Sequence, residues 1–197
     1  MNAMENPPVW LDENDFCLYA REYTPNAGYQ ESQTNDLILN FKKSVERRGK
    51  REWQYKEEAI HRFASELSVI IGNEEFIVAP IPCSMCSNDP LYDPRLDQTL
   101  SLLKSQYNNQ LEIIHPIIRK ETVPAKHAST GRRNPSLDLQ SLEWVGSEAE
   151  ETPELIVLID DVITTGSTFK ACKTLIQSNI QNCKVAGIFW ARSVWRY

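Results

Sequence analysis

The sequence predicts an α/β protein with a mainly parallel central sheet flanked by helices. Three features predict it. Leu155–Ile159 is apolar at every position, as in a parallel strand covered on both faces. Short apolar runs alternate along the chain with segments of helical periodicity, the pattern of strand–helix–strand units. A dense group of carboxylates and hydroxyls follows the apolar run at once, and open α/β sheets bind ligands at the carboxyl ends of their strands. Crossovers are expected to be right-handed.

Taken in order, residues 1–15 read as a flexible polar leader ahead of a single domain over 16–197. Phe16–Tyr23 is a short extended piece. Asn35 or Asp36 can cap a helix carrying Leu37, Ile38, Phe41 and Val45 on one face. Arg47–Arg51, with Gly49 inside it, reads as a solvated helix end and turn. An amphipathic helix follows over about 56–71, with Ile60, Phe63, Ala64, Leu67, Ile70 and Ile71 at helical spacing and Gly72 and Asn73 as its stop. His61 lies beside that stripe as a surface or packing residue. Phe76–Ala79 is a strand ended by Pro80 and Pro82. Asp93 and Pro94 read as N-cap and first residue of a helix that buries Leu96, Leu100, Leu103 and Tyr107. Ile113–Ile118 is a strand candidate limited by Pro116.

Residues 119–141 are basic and polar, with no regular element assigned. Leu142–Val145 is a short strand and 146–154 an acidic turn. After the apolar strand comes a helix with Phe169, Cys172, Leu175 and Ile176, then a last strand over Val185–Ala191. No internal repeat and no low-complexity tract interrupts this order.

At 197 residues the chain can bury a sizeable core, and its 41% apolar and 24% charged content is that of a soluble globular protein. A net charge of −6 argues against unaided, non-specific binding to nucleic acid. No apolar run approaches the roughly 18–20 residues of a membrane span, so no membrane association is expected. Met1–Pro8 has no basic region of a signal peptide, and a cytoplasmic protein is expected. The five cysteines lack framework spacing and are expected as reduced thiols. Cys83 and Cys86 form a Cys-x-x-Cys pair, but a structural zinc takes about four ligands and no second pair is suitably spaced.

Residues 156–168 read Ile-Val-Leu-Ile-Asp-Asp-Val-Ile-Thr-Thr-Gly-Ser-Thr. The hydroxyls and backbone N–H groups of Thr164, Thr165, Gly166, Ser167 and Thr168 suit a phosphate at a helix start, where the helix dipole favours negative charge. Gly166 lets the backbone approach without a Cβ. Asp160 and Asp161, one short step away, suit neighbouring sugar hydroxyls. The run resembles, over all thirteen positions, the phosphoribosyl-pyrophosphate (PRPP) signature of type I phosphoribosyltransferases. The resemblance implies that family's fold, with a small hood from the N-terminal segment.

Further segments carry the resemblance towards the competence-protein ComF-like branch of the family. Pro80-Ile81-Pro82-Cys83-Ser84 is similar to the pyrophosphate loop, with the amides of Cys83 and Ser84 facing the diphosphate. Arg95-Leu96-Asp97-Gln98 is similar to an Arg-x-Asn-Gln run, with Asp97 in place of the usual Asn, and implies a pyrophosphate contact for Arg95. Arg119-Lys120, Thr122 and Arg133-Asn134 resemble the flexible catalytic loop; Lys126, His127, Arg132 and Arg133 are its candidates for charge neutralisation. Asn40-Phe41-Lys42-Lys43 looks like the early helix of that branch. The branch usually begins with a four-cysteine zinc module, which this sequence lacks. The tail after the last strand is short, and Trp190, Trp195 and Tyr197 are aromatics that can stack on a base or pack internally.

The resemblance implies a glycosyltransferase that passes the 5-phosphoribosyl group of PRPP to a nucleobase-like acceptor and releases pyrophosphate. Catalysis is assigned to Asp160, Asp161, Lys126 and Arg133, and pyrophosphate binding to Cys83, Ser84, Arg95, Arg119 and Lys120. Mg²⁺ is expected to arrive with PRPP, water-bridged to Asp160 and Asp161, and not held by a direct protein site. The other reading is a PRPP-binding regulatory or partner-binding protein without turnover, such as an accessory protein of a retron-type antiviral defence system. A homodimer or a protein or nucleoprotein complex is compatible with either.

Overall fold

The structure is a computed structural model that describes residues 2–3, 7–72, 75, 77–106, 110–123, 134–147, 149, 152–195. The predicted Lys126, His127, Arg132 and Arg133, together with Phe76, Tyr107 and Tyr197, lie outside the described residues.

Among the described residues the strands are β1 (Asn2–Ala3), β2 (Phe16–Tyr23), β3 (Ile77–Pro80), β4 (Glu112–Ile113), β5 (Ile117–Arg119), β6 (Leu142–Trp144), β7 (Leu155–Ile163) and β8 (Lys184–Ser193). The helices are α1 (Gln33–Phe41), α2 (Gln54–Ile71), α3 (Arg95–Gln106), α4 (Pro135–Ser141) and α5 (Ser167–Asn179). The main sheet has the order β1-β2-β8-β7-β3-β4, and all its pairings are parallel except β1 with β2. The fold is therefore α/β with a mainly parallel sheet, as the sequence predicts. β5 and β6 form a separate antiparallel ribbon.

Two apolar layers cover the sheet. On one face Phe169, Cys172 and Ile176 of α5 pack with Ile156, Leu158 and Phe189. On the other, Phe41 of α1, Phe63 and Leu67 of α2 and Leu100 and Leu103 of α3 pack with Val157, Ile159 and Trp190. β7 lies between them, which is why Ile156–Ile159 had to be apolar without alternation.

Several elements differ from the sequence reading for identifiable reasons. Ser32, not Asn35 or Asp36, caps α1: its Oγ accepts from the Asn35 N–H at 3.0 Å. Asn35 instead bridges the preceding loop, accepting from the Thr24 N–H and donating to the carbonyls of Thr24 and Gly28. α1 ends at Phe41, so Val45 belongs to a following 3₁₀ turn rather than to the helix face. Asp93 does not use its carboxylate as a cap; Oδ2 is taken by Lys56 and Arg95. Ile113–Ile118 is two strands in two sheets, because Pro116 has no N–H to continue a ladder. α4 went unread, although Asn134 caps it and Pro135 occupies its first turn, both ordinary helix-start signals.

Candidate active site

β7 and β3 run parallel, β3 ending at Pro80 opposite Ile159 while β7 continues to Ile163, and a cleft of about 420 Å³ opens at that edge. It is lined by the loop after β3 (Ile81–Ser84), the end of β7 with Asp160 and Asp161, and the loop into α5 with Thr164, Gly166, Ser167 and Thr168. Lys42, Arg95, Arg119 and Asp138 complete the wall. Three segments separated by up to 80 residues in sequence thus meet at the carboxyl edge of the sheet, where the fold class puts a ligand.

Gly166 is the N-cap of α5, with φ +79° and ψ 1°. That left-handed conformation favours glycine. Having no side chain, it gives the helix start no cap of its own; the Ser167 N–H makes a long bond of 3.5 Å to Thr165 Oγ1, and a helix start of this kind suits an anion. Thr165 Oγ1 donates to Ser167 Oγ at 3.2 Å, and Ser167 is buried. Thr168 Oγ1 donates to Asp138 Oδ2 at 3.2 Å, a contact from α4 that the sequence reading did not anticipate.

Asp160 and Asp161 are consecutive strand residues and point to opposite faces. Asp161 is almost fully buried. Its Oδ2 accepts from Arg95 Nε at 3.1 Å and Nη2 at 2.9 Å, and its Oδ1 meets Lys42 Nζ at 2.9 Å. Burial opposes its ionisation, but Lys42 and Arg95 outweigh burial and hold the carboxyl well below the usual carboxylate range. Asp160 has no such cations in contact; burial first, then the charge on Asp161, push its carboxyl upward. Its Oδ1 accepts from the Asp161 N–H at 2.7 Å.

Among the described residues, the predicted Arg95 and Arg119 are engaged by protein groups. Arg95 spans Asp161 and Asp93 and lies over the Phe41 ring, its centre 5.5 Å from the ring centroid. Asp93 in turn meets Lys56 at 2.7 Å, and that lysine is fully buried and also donates to the carbonyls of Phe41 and Lys43. Arg119 donates to the carbonyls of Cys83 at 2.9 Å and Pro82 at 3.3 Å, and also to Ser141 Oγ. It therefore fixes the loop after β3 from behind. Lys120 is exposed just beyond it. Cys83 lines the cleft, and burial pushes its thiol upward, so it stays a thiol at neutral pH.

All five cysteines are free thiols. Among the described residues no group of three or more His, Cys, Asp or Glu could hold a metal ion. Lys42 was absent from the predicted site; only its place in the Asn40–Lys43 run could have signalled it. Trp190 is a packing aromatic: it is buried, stacked on Phe63 at 4.7 Å between centroids, and its indole N–H donates to Glu66 at 2.8 Å. Trp195 is exposed.

No family model and no curated protein matches this chain. Among solved structures it is similar to a hypoxanthine phosphoribosyltransferase from Staphylococcus aureus in two crystal forms. For the tetragonal form the identity is 13% and the TM-score 0.38, over 70% of this chain and 74% of that one. For the orthorhombic form the identity is 14% and the TM-score 0.37, over the same shares. Likeness at that level carries no argument about function, which rests on the site itself. Among the described residues no helix is long and apolar enough to cross a membrane.

Proposed function

We propose that the protein is a PRPP-binding protein of the type I phosphoribosyltransferase class. On this reading it is a glycosyltransferase that passes the 5-phosphoribosyl group to a nucleobase-like acceptor. The observation that carries the reading is convergence: the helix start at Gly166, two strand-end carboxylates and the Ile81–Ser84 loop share one cleft. Residues 164–168 take the 5′-phosphate, and Asp160 faces the ribose hydroxyls while Asp161 holds Lys42 and Arg95 beside it. The amides of Cys83 and Ser84 take the diphosphate.

In the reaction the acceptor nitrogen bonds to the anomeric carbon while the bond from that carbon to the diphosphate oxygen breaks. The electron pair leaves with the diphosphate, and the proton of the acceptor nitrogen passes to solvent. Positive charge develops on the ring, and the Asp160–Asp161 pair stabilises it through space. No covalent intermediate is needed, so positioning and electrostatics supply the acceleration. Magnesium entering with PRPP supplies charge neutralisation on the diphosphate when bound. Asp160 and Asp161 would supply the hard oxygen donors that such an ion prefers. Lys126 and Arg133 are proposed to neutralise the leaving group from the catalytic loop, with Lys120 at the root of that loop.

One observation favours the alternative, a PRPP sensor or partner-binding component without turnover, of which a retron-type accessory protein is an example. Arg95, Arg119 and Lys42 are already bonded to protein groups, which leaves little described cationic capacity for a leaving diphosphate. Turnover assays decide between the two. PRPP with Mg²⁺ and a panel of nucleobases should release pyrophosphate if the enzyme reading holds. Saturable PRPP binding with no pyrophosphate released on any base would replace it with the sensor reading.

A further inference from the structure

The segment read as a leader lies against the back of the phosphate loop. The Trp10 N–H donates to the Thr165 carbonyl at 3.0 Å. Leu11 is buried directly over Gly166: a Cβ built on that glycine would lie 2.8 Å from Leu11 Cδ2. Residues 12–15 close into a turn of their own, with the Asp12 N–H on Asp15 Oδ2 and the Asn14 N–H on Asp12 Oδ1. That turn is anchored on α5. Lys170 meets Asp12 and Asp15 at 2.6 Å each, and Lys173 meets Asp15 and the Asn14 carbonyl at 2.7 Å each. The Asp15 side chain is fully buried in this arrangement. None of residues 7–15 lines the cleft.

A trans peptide points its C=O and the following N–H in opposite directions. Holding the Thr165 carbonyl on Trp10 therefore turns the Gly166 N–H away from the segment. Glycine leaves that joint free to rotate unless something outside the loop fixes it. Leu11 occupies the space where a Cβ on Gly166 would lie, so it crowds that joint and opposes its rotation.

We infer that residues 10–15 are a positioning strap for the phosphate cradle. The Trp10 backbone sets the Thr165–Gly166 peptide, Leu11 opposes its rotation, and Asp12 and Asp15 tie the strap to the helix whose N-terminus receives the anion. The strap touches no ligand and acts by preorganising amides that would otherwise be ordered at the ligand's expense. The ligand class it serves is a phosphate monoester on a sugar, and the inference rests on the cradle reading above.

The test is calorimetric binding of ribose 5-phosphate to the full chain in four forms: unaltered, Leu11→Ala, Leu11→Met, and Asp12→Asn/Asp15→Asn. Leu11→Ala and the double variant are expected to weaken binding by about tenfold. Leu11→Met, which keeps the volume, should stay within about threefold. Amide hydrogen exchange at residues 166–168 should quicken in Leu11→Ala while circular dichroism shows an intact fold. Wild-type affinity in a folded Leu11→Ala overturns the strap and leaves the cradle reading standing. If the unaltered protein does not bind ribose 5-phosphate, the cradle reading falls and takes the strap with it. Should the double variant unfold, Leu11→Ala against Leu11→Met decides alone.

Discussion

Asp160 and Asp161 are neighbours in sequence with opposite electrostatic surroundings. Asp161 sits between Arg95 and Lys42, while Asp160 faces the cleft with its ionisation opposed by burial and by Asp161. A folded carboxyl pushed above its ordinary value by burial and by Asp161 binds more protons than the unfolded chain from near pH 4 upward. Stability is therefore lost as pH rises through that window, and the cost persists above it. Asp160→Asn removes the cost. Its Tm should exceed that of the wild type by about 2–6 °C at pH 7–8, with no difference near pH 4, as scanning calorimetry would show. The same variant should bind PRPP more weakly at pH 8, where the native carboxylate accepts sugar hydroxyls, and should lose less affinity on going to pH 5.

Asp161→Asn behaves differently. It leaves Lys42 without its partner and Arg95 with Asp93 alone, so it should destabilise the fold by about 3 kcal/mol in urea titrations. The sequence suggested a pair of equivalent sugar ligands. It gave no sign that one of them anchors helices, because Lys42 and Arg95 lie 119 and 66 residues away from Asp161. A loss of activity in Asp161→Asn is informative only alongside a measured stability.

At the scale of elements, the height of the cradle is set by how α5 sits on β8. Gly187 makes this possible: a Cβ there would fall 2.7 Å from Phe189 Cε2 and 2.9 Å from Phe169 Cε2. Phe169 is in the first turn of α5, two residues beyond the buried Ser167. Gly187→Ala should cost about 1–3 kcal/mol by forcing those rings apart, and should weaken ribose 5-phosphate binding besides. Equal stability in the variant would show that the helix has room to shift. Arg119 plays the matching part for the opposite wall. Arg119→Met would leave the Pro82 and Cys83 carbonyls without their donor, and should loosen the 81–84 loop, read as faster amide exchange there.

Elements whose signal is local were legible in the sequence. β2 and α2 fall within two residues of their predicted starts, since alternation and a helical stripe are written in neighbouring residues. β7 was legible as a buried run, although it continues past the carboxylates to Ile163 because β8 pairs with it there. What could not be read depends on distant partners. Asp93 resembled a cap until Lys56 and Arg95 drew its carboxylate away. Arg119 is read as a pyrophosphate contact and lines the cleft; its bonds to the loop backbone carried no local signal. Asp138 had no motif to mark it, and its contact with Thr168 exists only because α4 packs on α5.

For the molecule as a whole, the ion network ties one helical layer to the sheet. Glu66 of α2 takes Arg21 from β2, the Trp190 indole from β8 and Arg62 from its own helix. Burial opposes its ionisation, but those partners bring its carboxyl down to about 2. Carboxyls held low in the fold contribute stability that is present above the unfolded value and lost as pH falls through the folded one. With Glu66 and Asp161 both held low, the Tm should fall steeply from about pH 4 towards pH 2, and a Tm unchanged down to pH 3 would contradict the network.

The central claim is that the cleft above β7 and β3 is a PRPP site. Calorimetric titration of PRPP with Mg²⁺ into the wild-type protein tests it most directly, with Asp160→Asn alongside because that variant should remain folded. The account predicts saturable one-site binding, competed by ribose 5-phosphate and weakened in Asp160→Asn. A folded wild type that gives no binding heat at millimolar PRPP, or an Asp160→Asn that binds as tightly as wild type, would contradict it.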